Sequence, residues 1–264
     1  MRLTYKLLIL LLVVMLAPFA YGAKIAIVID DIGYKASDQK LLDMDAQLTY
    51  AVLPHTPMGF KYAQHAARKN RDVIIHLPMQ ANKHNRLLGP GALTSTMSKH
   101  QYQQTLLSAL EDIPFAVGIN NHMGSLLTRQ EEPMAWTMEL LQQHNMFFLD
   151  SKTTKHSKVE KVANKFGVNS LERNVFLDHN RSSAAIKWQF KRLLKLAKKQ
   201  GSAIAIGHPY HETFQVLKQE LSKLPEHGIE LVPLSQLLPN DLYFVQDENN
   251  RTLEETNVSA NVAP

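Results

Sequence analysis

The sequence predicts an α/β protein, a distorted or incomplete (β/α) barrel of about seven parallel strands. Short β-rich apolar runs alternate with amphipathic helical patterns, which implies parallel strands joined by right-handed crossovers. The runs are near-continuous rather than alternating, as in strands covered on both faces. Seven or eight of them within about 220 residues suit a barrel. Composition sets the outer bounds. The 264 residues include 29 Lys+Arg, 24 Asp+Glu and no cysteine, and 45% are hydrophobic. That excludes a disordered, collagenous or disulfide-stapled chain. It also excludes thiol nucleophiles, iron–sulfur clusters and cysteine-ligated zinc. A net charge of +5 is too mild for a dedicated nucleic-acid binder. The twelve histidines are the unusual count, and their positions must decide which matter.

The chain opens with Arg2 and Lys6, then an unbroken apolar run from Leu7 to Ala17, Pro18, and small residues at Ala20, Gly22 and Ala23. This is the pattern of a secretory signal peptide over residues 1–22, and it predicts an exported protein of the periplasm or envelope. The run is short of the about 20 apolar residues of a spanning helix. The strand candidates follow at Ile25–Ile29, Thr49–Leu53, Val73–Leu77, Phe115–Ile119, Met146–Leu149, Val175–Leu177, Ala203–Ile206 and Ile229–Val232. Ser98 to Gln101 is a capping-box start, with Tyr102, Leu106, Leu107 and Leu110 on one helical face. Thr128 to Glu131 reads as a second capping box, leading into Trp136, Leu140 and Leu141. Val159 to Phe166 ends at Gly167, a C-cap residue. Ile186, Phe190, Leu193, Leu194 and Ala197 line a helix that stops at Gly201. Its basic residues, Lys187, Lys191, Arg192, Lys195, Lys198 and Lys199, read as a solvated face. The irregular stretch Gln80 to Met97 reads as a loop over the strand ends. Residues 23–240 form one domain on this reading, and 241–264 a disordered polar tail.

In parallel α/β folds, active sites form at the C-terminal ends of the strands. The first strand ends in Asp30-Asp31, the third in His76, and the fourth runs into Asn120-Asn121-His122. The fifth ends in Asp150, the sixth in Asp178-His179 and the seventh in His208. Taken singly, each has a structural explanation: a helix cap, a turn, a satisfied core histidine. Together they converge on one rim, which independent accidents would not do. Two imidazoles and a carboxylate leave open coordination positions, the arrangement of a catalytic zinc. A neighbouring carboxylate then serves as general base and a further histidine as general acid.

At these residues the chain resembles the divergent polysaccharide deacetylases. The likeness is carried by Ile29-Asp30-Asp31-Ile32-Gly33, His76-Leu77-Pro78-Met79, Gly89-Pro90-Gly91-Ala92-Leu93 and Asn120-Asn121-His122-Met123-Gly124-Ser125. It continues in Phe148-Leu149-Asp150-Ser151, Arg173 to Asp178 and Ile206-Gly207-His208-Pro209, and runs from about Lys24 to Leu238. The resemblance implies a distorted barrel and metal-dependent carbohydrate esterase ancestry. It implies Asp30 as general base, Asp31 as metal ligand and His208 as general acid. The wider family carries two histidines four apart on one loop, whereas here His76 is followed by Leu77, Pro78, Met79 and Gln80. The second imidazole therefore has to come from elsewhere, and His122 is the candidate.

The expected function is removal of N-acetyl groups from a cell-envelope glycan, with a divalent metal, zinc for preference, on Asp31, His76 and His122. Asp150 and Asp178 orient these groups or touch substrate, and Arg173 pairs with one of the carboxylates. The alternative is an envelope protein that binds glycan or a partner and has lost turnover. A phosphoesterase would want more cations among the strand ends.

Overall fold

The computed structural model describes residues 22–239. The polar tail and all of the proposed signal peptide except Gly22 lie outside the described residues. Nine strands run parallel among them: β1 (Ala23–Ile32), β2 (Thr49–Val52), β3 (Val73–Met79), β4 (Gly118–Met123), β5 (Phe147–Asp150), β6 (Ser170–Glu172), β7 (Val175–Phe176), β8 (Ser202–Gly207) and β9 (Ile229–Leu231). The sheet order is β6-β5-β4-β3-β2-β1-β8-β7, and β9 pairs with the first residues of β1. The helices are α1 (Gln39–Leu42), α2 (Gly59–Arg68), α3 (Lys99–Asp112), α4 (Glu131–Gln143), α5 (Val159–Phe166), α6 (Ser183–Gln200) and α7 (His211–Glu220).

The two edge strands of that order, β6 and β7, are separated in the chain by only Arg173 and Asn174. The Arg173 N–H donates to the Asp150 carbonyl on β5, and the Asn174 N–H to the Ile204 carbonyl on β8. One kinked passage thus reaches from one edge of the sheet to the other, and the sheet curls into an incomplete barrel. Alternate side chains point inward. Ala26, Val28, Ala51, Ile74, Phe147, Leu149, Ile204 and Ile206 fill the interior, with Leu234 closing one end. The opposite faces of the strands meet the helices in a larger core that includes Ile27, Ile75, Leu106, Met138, Phe148 and Phe190. With the N-terminal end plugged, polar chemistry has room only at the C-terminal rim.

Most of the periodic segments fold as their patterns dictate. Ser98 caps α3 with a reciprocal Gln101 capping box, Gly167 ends α5 with φ +66°, and α6 stops at Gly201. Four features differ. The second capping box does not form. The Thr128 hydroxyl donates to the Gly124 carbonyl instead, and α4 starts after Gln130 with no side-chain cap. The strand expected at Val175–Leu177 is β7, and an unread short strand, β6, precedes it, because the chain changes partner at Arg173 and Asn174. β4 begins later than Phe115 and continues through His122, so this histidine lies within the strand. His76 likewise sits in the middle of β3 and not at its end. The amphipathic helices α2 and α7 went unread in the sequence.

Candidate metal centre

Strand alternation builds the site. Two residues beyond the interior Val28, Ile74 and Ile206 stand Asp30, His76 and His208, so the layer above the apolar filling is polar. On β4, Asn120 and His122 share the inward face, and Asn120 lies level with His76 in the β3–β4 register. Strict alternation would send Asp31 the other way. The β1–β2 register shifts between Ile29 and Ile32, however, and Asp31 adopts φ +59°. A bulge of this kind re-aims a side chain, and both adjacent carboxylates reach the same rim. Gly33 completes the turn with φ +134°, and its N–H donates to buried Asp38.

Three ligand atoms converge. Asp31 Oδ1 lies 3.2 Å from His76 Nε2 and 3.2 Å from His122 Nδ1, and the two imidazole nitrogens are 3.0 Å apart. Their partners assign the protons. Asp30 Oδ1 can only accept, so Asn120 Nδ2 donates to it (2.8 Å), and Asn120 Oδ1 must accept from His76 Nδ1 (2.8 Å). His122 Nε2 faces the Leu87 carbonyl at 3.4 Å. Both imidazoles therefore present bare lone pairs to a carboxylate oxygen that is itself buried and takes no well-formed hydrogen bond. Three acceptors at such spacing repel one another unless a cation or a proton stands between them. A tetrahedral ion with bonds of about 2.0–2.1 Å spaces its ligands about 3.3 Å apart, so this triangle fits one within a few tenths of an ångström. The donor set, two nitrogens and one oxygen with open positions, is that of zinc or a similar transition metal.

With protons rather than a cation between these groups, burial would raise Asp31, but hydrogen bonds and charge from His122 and His76 outweigh it and hold the carboxyl far below the usual range. Asp30, 3% exposed, is pushed up by burial despite the nearby histidines and Asn120. His208 sits across the rim, its Nδ1 2.8 Å from Asp178 Oδ1. Burial pulls the ring down, yet the hydrogen bond and charge of Asp178 prevail and raise it to about 9. Asp178 Oδ2 also accepts from the His208 N–H and from Thr213, which locks the pair. Tyr210 stacks on His208 with ring centroids 5.4 Å apart.

Asp150 ends β5, buried, and its carboxylate takes the Lys152 N–H at 2.7 Å and lies 3.6 Å from Lys152 Nζ. Arg173 feels the charge of the Asp150 and Asp30 carboxylates, as expected, while its hydrogen bonds go to carbonyls: Nε donates to Ser151 O (2.7 Å) and Nη2 to Lys152 O (3.0 Å). Its guanidinium lies 3.7 Å over Phe176. It thereby braces Lys152 in its left-handed conformation (φ +47°). His179 is exposed. Asn120 and Ser151 went unassigned in the sequence, yet both are buried, Asn120 against Asp30 and Ser151 against Asn120. The signal for Asn120 was an amide two residues before His122, on the same face of the strand.

Residues 27–238 match the family model described as divergent polysaccharide deacetylase. The chain belongs to that family. The uncharacterised protein YibQ of Escherichia coli K12 is 40% identical over 218 residues, which cover 82% of this chain and 68% of that one. Among solved structures, the uncharacterised ATU2773 of Agrobacterium tumefaciens C58 superposes with a TM-score of 0.79 at 20% identity, covering 83% of this chain and 90% of that one. BA3943, a CE4 family pseudoenzyme from Bacillus anthracis, gives 0.53 at 15% identity and coverages of 82% and 65%. These likenesses at low identity place this member of the divergent deacetylase family in the same curled-barrel fold.

Proposed function

We propose that the protein is an exported, metal-dependent hydrolase that removes N-acetyl groups from a cell-envelope polysaccharide. The observation that carries the reading is the convergence of Asp31, His76 and His122 with their lone pairs facing inward. These three residues would hold the metal, and Arg2, Lys6 and the Leu7–Ala17 run support export. A divalent ion bound there supplies Lewis acidity to an acetyl carbonyl and makes water a nucleophile near neutral pH. The remaining chemistry belongs to the chain. Asp30, held by Asn120 through Oδ1, keeps Oδ2 toward the rim, 3.6 Å from His76 Nε2, and accepts the water proton. His208, oriented through Nδ1 by Asp178, donates from Nε2 to the departing amine. Its elevated pKa keeps that proton available at neutral pH.

A second reading, glycan or partner binding without turnover, is favoured by one observation. Gln80 stands where the wider family has its second histidine, and its side chain is engaged by Ser95. Acetate release from N-acetylated envelope glycans by the metal-loaded protein separates the two. Release that is lost in Asp30→Asn supports the hydrolase. Metal binding with no release from any such glycan supports the binding protein.

A further inference from the structure

We propose that the outer face of α6 is a peripheral docking surface for a bilayer rich in anionic phospholipid. This inference is independent of the catalytic reading. The buried stripe of α6 (Ile186, Phe190, Leu193, Leu194 and Ala197) is spent on the core, so the opposite face is what solvent meets. That face carries Trp188, Lys191, Arg192, Lys195 and Lys199, spaced at three, four, seven and eleven residues from the tryptophan and all exposed. The helix has six basic residues and no acidic one. None of the six makes an ion pair among the described residues, and Arg192 reaches only Gln189. An ordinary solvated helix face mixes signs in i,i+4 pairs and exposes no large apolar ring. Here like charges repel one another, and Trp188 is 62% exposed.

The combination matches an anionic lipid surface. Each Lys or Arg gains from the surface potential, and the indole is amphipathic, suited to the headgroup level. A single nucleic-acid strand fits less well, because its bases stack on successive aromatics, and Trp188 is the lone aromatic on this face. No described helix is long and apolar enough to cross a membrane, so the contact is peripheral. Because α6 leads from β7 back to the start of the parallel strand β8, it flanks the barrel wall. A surface lying against it leaves the rim open at the side.

The chain has two tryptophans, so in a Trp136→Phe background Trp188 is the sole indole reporter. The full-length protein is titrated with phosphatidylcholine vesicles, with vesicles in which about a quarter of the lipid is phosphatidylglycerol, and with an anionic polysaccharide. A blue shift of Trp188 emission on the anionic vesicles alone is expected. Lys191→Gln/Arg192→Gln/Lys195→Gln should raise the lipid concentration needed by about 100-fold. Insertion of the Leu7–Ala17 run is told apart by the triple variant, whose response it would leave unchanged. The unsubstituted chain serves as a check that Trp136→Phe has not altered the response. No shift with anionic vesicles, an equal shift with both lipids, an unchanged response in the triple variant, or a shift produced only by the polysaccharide would each overturn the proposal.

Discussion

At the scale of single residues, the site works because neighbouring groups settle each other's protons. Asp30 and Asp31 are adjacent but inequivalent: one accepts from Asn120, while the other faces two imidazole lone pairs. Asp30→Asn keeps the size of the side chain and removes its basicity. Metal content should stay while hydrolysis falls by about 10²–10⁴-fold, and Asp31→Asn should lose both. Reversed behaviour of the two variants, read by metal stoichiometry beside acetate release, would exchange their roles. Asn120 is the residue that ties base to ligand. Asn120→Leu leaves His76 Nδ1 and Asp30 Oδ1 without their partner, and metal affinity should drop about 10–100-fold in a competition titration with a chelating dye. An unchanged affinity would show that the imidazole needs no orienting amide. His208 supplies a pH test. Its pKa is raised from 6.5 to about 9 because Asp178 outweighs burial. The imidazolium is thus favoured by the fold, so this pair's contribution to stability is complete below about pH 6.5 and is lost as pH rises through about 9. Activity should decline over the same alkaline limb, and Asp178→Asn should pull that limb toward neutrality. A pH–rate profile whose alkaline limb ignores Asp178 would remove His208 as the acid.

At the scale of elements, the polar residues that end the apolar runs made most of the rim legible in advance. Asp30, His76 and His208 were found that way, and in the fold each follows an inward apolar residue by two. Asp31 is different. Its place depends on a bulge and a positive φ, which no periodicity announces. The hydrogen-bond partners of Arg173 could not be read because they are backbone carbonyls, placed by the change of sheet edge between β6 and β7. The turn after β1 carries a test at this scale. A Cβ on Gly33 would stand 2.2 Å from Thr56 Oγ1, and φ is +134° there. At Gly167, with φ +66°, a Cβ meets nothing within 4 Å. Gly33→Ala should cost about 1–3 kcal/mol and also weaken metal binding, since the same turn aims Asp31. Gly167→Ala should cost about 1 kcal/mol or less and leave metal untouched. Thermal melts with and without zinc distinguish these outcomes, and equal effects on zinc binding would uncouple the turn from the site.

At the scale of the whole molecule, a plugged barrel end, a kinked passage from β6 to β7 and a polar C-terminal rim leave one place for chemistry. Membership of the deacetylase family and the three converging ligands point to the same place. The second histidine comes from β4, one strand over from His76, so the ligand set is spread over β1, β3 and β4 and depends on the curl of the sheet to close. The most direct measurement is therefore the zinc content of the purified protein after equilibration with zinc and removal of excess. One ion per chain is expected in the wild type and in His144→Ala, which alters an exposed residue at the end of α4. His122→Ala should hold almost none. A wild type that retains no metal, or equal zinc in the two histidine variants, would contradict a metal centre on Asp31, His76 and His122.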